Sequence, residues 1–282
     1  MEKLLDEIES YWSTRTEGYS EVNHKELAGT QKNAWLKVLT SQFPDKPKEE
    51  IRILDIGTGP GFFPVILAEA GYHVDAVDYT EGMLEKAKEN AGELCRNIHF
   101  QRMDAQKLEF EDNTFDVVIS RNLTWNLEHP DVAYREWVRV LKVGGKLLNF
   151  DANWYGYLYE EEQRKAYEND RKNVENNSLD DHYLCTDIER MERIALQVPL
   201  SKIRRPEWDV KTLREAGLLG IHTDTEIWKT VWSEEERLNY QSTPMFMVTG
   251  VKPDHFLNLP VVEGEKTCLL YTSPSPRDPK TS

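Results

Sequence analysis

The chain has 282 residues, 39% of them hydrophobic, and a formal net charge of −15. That length supplies one large domain, or one domain with an insertion, and the acidic balance excludes a non-specific grip on nucleic-acid phosphates or an anionic membrane surface. No segment approaches the roughly 20 apolar residues that span a bilayer, and Met1–Ser10 is acidic and amphipathic without a signal-peptide pattern, so the sequence reads as cytoplasmic.

Met1 to about Leu39 reads as helical, because Leu4, Leu5, Ile8, Tyr11 and Trp12 recur at helical spacing. Gly18 is expected to interrupt it, with a second helical stretch from about Glu26 to Leu39. Phe43–Glu50, with two prolines and a run of charge, reads as a linker. Ile51–Ile56 is mostly apolar with Asp55 near its end, and Gly57, Gly59 and Gly61 follow at alternate positions. The apolar run Phe62–Ala70 then stops at Gly71. This pattern predicts a buried parallel strand, a tight glycine turn and a helix, with Pro64 tolerated in the first helical turn. A turn without Cβ atoms lets a ligand lie against the main chain, and the helix behind it aims free N–H groups at that ligand. Asp55 can accept hydrogen bonds from an ammonium group or from the loop amides.

His73–Asp78 reads as a second strand ending in an acid. Asp78 lies 23 positions after Asp55, and an acid about 20 residues beyond a glycine turn is placed to grip a nucleotide's ribose hydroxyls. Thr80 is an expected N-cap for a helix through Asn90, with Met83, Leu84 and Ala87 on its apolar side. Asn97–Met103 reads as a third strand, followed by Asp104-Ala105. Thr114–Ser120 is the near-continuous apolar run of a doubly covered parallel strand, with Arg121–Asn126 as its loop. Pro130 opens a helix through Leu141, and Val143–Phe150 reads as a turn and fifth strand. From Asp151 the rhythm breaks: Asn153–Arg205 is polar, charged and aromatic, and reads as helices and loops inserted after that strand. Glu207–Ala216 reads as a helix closed by Gly217, and Ile221–Trp228 and Met245–Val251 as two further strands. Alternating strands and helices imply a parallel sheet with right-handed crossovers.

Asp55-x-Gly57-x-Gly59-x-Gly61 resembles the first motif of the class I S-adenosylmethionine (SAM)-dependent methyltransferases. The dehydrogenase fingerprint is G-x-G-x-x-G, and Phe62 stands where that pattern wants its last glycine. Asp78, Asp104-Ala105, Phe115-Asp116 and Arg139-Val-Leu-Lys-Val-Gly-Gly145 extend the likeness, with Val143 in place of the family's proline. Tyr11-Trp12, Arg15 and Tyr19 resemble the lead-in that folds over the cofactor as a lid in many small-molecule members, of the type found in ubiquinone and menaquinone biosynthesis. The resemblance implies an α/β, Rossmann-like class I methyltransferase fold with a seven-stranded, mostly parallel sheet in the order 3-2-1-4-5-7-6. It implies a helical lid over residues 1–42, a SAM-binding core over 51–151, a helical substrate cap over 152–206, and a closing helix with strands six and seven over 207–252. By the same resemblance, Asp55, Gly57, Thr58, Gly59, Gly61, Asp78, Tyr79, Met83, Asp104, Ala105 and Arg121 contact the cofactor, with Trp12, Arg15 and Tyr19 from the lid. An ionised Asp104 accepts only, which suits the adenine amino group.

The implied reaction is in-line transfer of the sulfonium methyl to a small-molecule acceptor, in which the protein positions the partners and excludes water. A general base is needed only where the acceptor arrives protonated. Asn122, Trp125 and Asp151 are the catalytic candidates, and Asn126, Asn153 and Trp154 the acceptor-binding ones. Trp125 and Trp154 could form an aromatic wall, and Asp151 could orient or deprotonate an amine or hydroxyl; taken singly, each reads first as a packing or capping residue. His182, with Asp180 and Asp181, reads first as a solvated loop, and as a metal pair or base second; His222 is expected to face out of an edge strand. Two other classes stay open: a SAM-binding regulator without turnover, and an NAD-dependent oxidoreductase. Cys268–Asp278 reads codon for codon as a translated sequencing-library adapter, so 268–282 is set aside as a non-native tail. Only Cys95 and Cys185 then remain, so no metal site or disulfide framework is suggested. The sequence sets no oligomeric state.

Overall fold

The computed structural model describes residues 3–182 and 186–254. The tail over 268–282, along with Tyr183 and Cys185, lies outside the described residues. Seven strands form one sheet: β1 (Arg52–Ile56), β2 (His73–Asp78), β3 (Ile98–Arg102), β4 (Phe115–Arg121), β5 (Leu141–Asp151), β6 (Leu219–Asp224) and β7 (Phe246–Val251). Their order is β3-β2-β1-β4-β5-β7-β6. The first five run parallel, and β7 runs antiparallel to both β5 and β6. This is the expected α/β, Rossmann-like arrangement.

The helices follow from the apolar periodicity. α1 (Leu4–Ala28) and α2 (Gln31–Thr40) precede the sheet; α3 (Phe62–Glu69), α4 (Glu81–Ala91) and α5 (Pro130–Val140) make the crossovers. α6 (Glu161–Asn176) and α7 (Ile188–Ala195) lie in the insertion after β5. α8 (Glu207–Glu215) precedes β6, and the short α9 (Trp228–Val231) and α10 (Glu234–Asn239) join β6 to β7. On one face of the sheet Tyr134, Trp137 and Leu213 pack over Val118 and Leu147. On the other Trp35, Leu39, Phe63 and Ile66 pack over Ile53, Ile119 and Leu148. Both faces of β4 are covered, which is why its sequence does not alternate. Each of these fully buried aliphatic side chains contributes about 1.5–3 kcal/mol relative to exposure. A third cluster, built on Tyr11, Trp125, Tyr155, Met191 and Ile194, joins α1 to the insertion.

Asp116 ties the amino end of β4 to its surroundings. Lys46 and Lys142 reach its carboxylate at 2.6 and 2.7 Å, and the Arg52 N–H donates to it at 3.0 Å. Burial opposes its ionisation, yet the two ammonium groups hold it below the usual carboxylate range.

Four sequence expectations are corrected. Gly18 does not interrupt α1, which runs unbroken to Ala28; the break falls at Gly29 and Thr30. A mid-helix glycine costs only about 1 kcal/mol, and burial of Tyr11, Ser20 and Asn23 along one face outweighs it. Thr80 occupies the N-cap of α4 but its side chain makes no cap hydrogen bond; its own N–H donates to Asp78 instead. The sixth strand lies at Leu219–Asp224, and Trp228–Val231 is helical, because Ile227, Val231 and Trp232 bury against the core as one apolar turn. The turn and strand after α5 form one strand from Leu141, with a register shift between Phe115 and Val117 on its partner. Among the described residues no helix is long and apolar enough to cross a membrane.

Candidate functional site

A cavity of about 700 Å³ opens at the carboxyl edge of the sheet, between the ends of β1, β2 and β4 and the inner face of α1. Ligands bind at this edge in open α/β sheets. Its floor is the turn Gly57–Pro60. Gly57, Gly59 and Gly61 all have positive φ, of 70°, 53° and 90°. Their roles differ. A Cβ on Gly57 would lie 2.7 Å from Leu123, and one on Gly61 would lie 3.0 Å from the Cβ of Ala87 on α4. A Cβ on Gly59 would meet nothing within 4 Å, so at Gly59 the main chain faces open space that a ligand can fill.

The acids gather around this turn. Asp78, at the end of β2, accepts from the Gly59 N–H at 2.8 Å through Oδ2 and from the Thr80 N–H at 2.9 Å through Oδ1. It thereby joins the end of β2 to the glycine turn. Burial raises its pKa, and the two N–H donors oppose that shift. Asp55 is buried at the end of β1, which pushes its carboxyl up to about 7, with the Thr58 hydroxyl and then the Arg121 charge pulling it back. Asp104 follows β3, and its Oδ1 accepts from the Gln106 backbone and side-chain amides at 2.9 and 3.1 Å.

α1 roofs the cavity, pinned to the core by three ion pairs. Glu9 meets Arg102 at 2.8 Å, Glu17 meets Lys86 at 2.9 Å, and Glu26 grips Arg121 through both oxygens, at 2.8 and 3.0 Å. The Arg102 guanidinium also lies over the Tyr79 ring, 4.8 Å from its centroid. That of Arg121 lies over Phe62, 4.7 Å away. These contacts fix Tyr79 and Arg121 in the cavity wall. Trp12 and Tyr19 pack edge to face at 5.4 Å, and burial raises the Tyr19 pKa.

Of the residues picked out from sequence, Trp12, Arg15, Tyr19, Asp55, Gly57, Thr58, Gly59, Asp78, Tyr79, Met83, Asp104, Ala105, Arg121, Asn122, Trp125, Asn126 and Trp154 line this cavity. Gly61, Asp151 and Asn153 do not. Gly61 serves the close approach of α3 to α4. The Asp151 carboxylate is fully buried and its oxygens are occupied. One accepts from the Arg205 guanidinium and the Trp125 N–H, the other from the Ala152 N–H and the Trp154 indole. Asn153 exchanges two hydrogen bonds with the Arg205 main chain. The aromatic wall thus exists, while Asp151 acts behind it, holding Trp125 and Trp154 in place.

His182 is not a solvated loop residue. Its Nδ1 lies 2.9 Å from the Tyr240 hydroxyl and its Nε2 lies 3.0 Å from Glu235, on the cavity wall. Its neighbours pair elsewhere, Asp181 with Arg171 at 2.6 Å and Asp180 with Lys25 at 3.7 Å. Among the described residues no cluster of His, Cys, Asp or Glu could hold a metal ion. His222 on β6 pairs with Thr249.

Sequence reasoning missed Asn23, Glu26, Trp232, Glu236 and Tyr240, all of which line the cavity. Two signals were present. Trp12, Tyr19, Asn23 and Glu26 recur on one helical face, and Ser233-Glu-Glu-Glu236 is a capping-box pattern, which the structure forms.

The residues fit S-adenosylmethionine. Asp78 offers two oxygens at a strand end, and Gly59 leaves room against the main chain. Residues 54–149 match the methyltransferase-domain family. The chain is 39% identical over 97 residues to a demethylmenaquinone methyltransferase of Clavibacter sepedonicus, covering 34% of this chain and 39% of that protein. It is 30% identical over 126 residues to a ubiquinone biosynthesis O-methyltransferase of Coxiella burnetii, covering 44% and 53%. The chain thus spans about half or less of the length of these curated relatives. In fold it is similar to the Haemonchus contortus phosphoethanolamine N-methyltransferase 2 solved with S-adenosyl-L-methionine, with a TM-score of 0.55 and 20% identity over 78% of this chain and 52% of that one.

Proposed function

Taking residues 54–149 as a SAM-dependent methyltransferase domain, we propose that the chain transfers a methyl group from SAM to a small-molecule acceptor. The observation that carries this reading is the convergence of Asp55, Asp78 and the open main chain at Gly59 on one cavity. The bound cofactor supplies an electrophilic methyl on sulfur. The protein's part is binding and orientation. Asp78 is placed to exchange its two loop N–H bonds for the ribose hydroxyls, Asp104 to meet the adenine amino group, and Asp55 to face the ammonium of the methionine moiety. α1, held over the site by its three ion pairs, excludes water. The acceptor lies between Trp125, Trp154, Asn122 and Asn126.

A cavity roofed by a pinned helix favours a small acceptor over nucleic acid, in keeping with the acidic net charge, and the quinone-pathway relatives support the same class. A cytoplasmic site of action is part of this reading. The antiparallel close of the sheet at β6 and β7, with Phe62 in the turn, disfavours the NAD-dependent alternative. Calorimetric titration with SAM, its demethylated product and NAD tests cofactor choice: tight binding of the first two and none of NAD is expected. Release of labelled methyl from SAM in the presence of candidate acceptors separates turnover from binding alone.

A further inference from the structure

Glu236 stands in the cavity wall with one oxygen committed. Its Oε2 accepts from the Gln31 side-chain amide at 2.6 Å and from the Ser233 N–H at 2.7 Å, and both donors are neutral. Among the described residues no hydrogen bond to Oε1 is found, and the residue lines the cavity. Nearby, Glu26 gives both oxygens to Arg121, so that pair is neutral as a unit. The charges of Glu26 and Arg121 both act on Glu236. When all three are ionised these groups carry one net negative charge in a partly buried setting, an arrangement that is costly unless a cation completes it.

A second feature points to the same ligand. Asn23, nearly one turn of α1 before Glu26, is only 3% exposed and lines the cavity, yet neither its Oδ1 nor its Nδ2 has a partner. Buried amides without partners are rare in folded proteins and mark a missing group. The same cavity is lined by aromatic rings: Tyr240 lies 5.2 Å from Trp154 and 5.7 Å from Trp232. Such faces attract an ammonium group as well as an apolar body.

Within the methyl-transfer reading, on which this inference rests, we propose that the acceptor enters as a protonated amine, its N–H groups taken by Glu236 Oε1 and Asn23 Oδ1. The bound ammonium then gives one proton to Glu236, which leaves a neutral amine with a free lone pair and a neutral carboxyl. Burial and the Glu26 charge raise the Glu236 pKa and suit it to that exchange. Among the described residues the cavity wall also carries Arg15, Tyr19, Lys25 and Glu26 from α1, Arg121 from β4, Asp180, Asp181 and His182 from the insertion, and Tyr240, with Glu235 bonded to His182 behind it.

The test compares two probes of the same shape, phenethylamine and phenethyl alcohol, titrated into the protein saturated with S-adenosylhomocysteine. The amine is expected to bind about tenfold more tightly or better, the scale of a hydrogen bond to a charged group. Glu236→Gln keeps an oxygen for the Ser233 N–H, so the capping box and fold are retained. It is expected to erase the preference for the amine while SAM affinity stays within about twofold. Equal binding of the two probes, absent binding of the amine, or a preference that survives Glu236→Gln overturns the proposal. So does a Glu236→Gln variant that loosens SAM itself, since Glu236 would then be holding the cofactor's own ammonium. A wild-type protein that binds no SAM at all overturns the methyl-transfer reading instead.

Discussion

The Asp151 carboxylate meets the Arg205 guanidinium at 2.7 Å, with neither side chain exposed to solvent. The chain is 54 residues longer at Arg205 than at Asp151, so the pair ties the end of β5 to the far end of the insertion. Arg205 also meets Asp209, at 2.9 Å through Nε, and Asp209 accepts from the buried Tyr134 hydroxyl at 2.5 Å. Tyr134 in turn takes the Asn149 amide at 2.8 Å, and Asn149 takes the Thr124 hydroxyl at 3.1 Å. The network thus runs behind Trp125 and Trp154 and holds this wall of the cavity from the rear.

Asp151→Ala is therefore expected to destabilise the fold, by about 3–5 kcal/mol, since it leaves a buried guanidinium short of a partner. Denaturant unfolding measures it. A variant that keeps wild-type stability and loses only turnover would return Asp151 to a catalytic role.

Asp78→Ala removes the tie between β2 and the Gly59 amide and, with it, the proposed ribose grip. SAM affinity should fall by roughly 1.5–3 kcal/mol, the scale of charge-assisted hydrogen bonds. Calorimetry at fixed pH reads it, and unchanged affinity contradicts the ribose assignment.

Asp55 gives a pH dependence whose sign follows from burial. In the folded protein its carboxyl is raised from 3.8 to about 7, so the folded state holds a proton that the unfolded chain releases. Its contribution to stability is present below about pH 4 and lost as pH rises to about 7, an effect on the order of a few kcal/mol. Binding runs the other way. In the proposed contact the ionised carboxylate attracts the cofactor's ammonium, so SAM affinity should rise between pH 5.5 and 7.5, at most about tenfold per unit. Asp55→Asn should flatten that profile in calorimetric titrations; a wild-type affinity independent of pH removes Asp55 from the ammonium contact.

The strands were legible wherever burial on both faces wrote a continuous apolar run, as at Thr114–Ser120, and the turn wherever positive φ demanded glycine, as at Gly57–Gly61. Local pattern also supplied the strand-end acids. What it could not supply were partnerships across the chain. Asp151 reads as a free strand-end acid until Arg205 is brought to it by the fold. Glu26 reads as a solvated helix residue until Arg121 meets it. The helix Trp228–Val231 was missed because a short apolar run carries no period of its own, and Gly18 misled because helix propensity is a weak prior against tertiary packing.

The three glycines of the turn make a final contrast, because they look alike in sequence and differ in what surrounds them. At Gly59 a side chain meets no protein atom within 4 Å, so Gly59→Val costs the fold only the strain of a β-branched residue at positive φ, about 1–2 kcal/mol. Its side chain occupies the space reserved for the cofactor, and SAM binding should be abolished. At Gly61 the same change drives a side chain into Ala87, 3.0 Å away, and should loosen α3 from α4, lowering the melting temperature more than at Gly59. Paired thermal melts and SAM titrations of the two variants check both halves. A Gly59→Val protein that still binds SAM tightly would show that the cofactor lies elsewhere than against this turn.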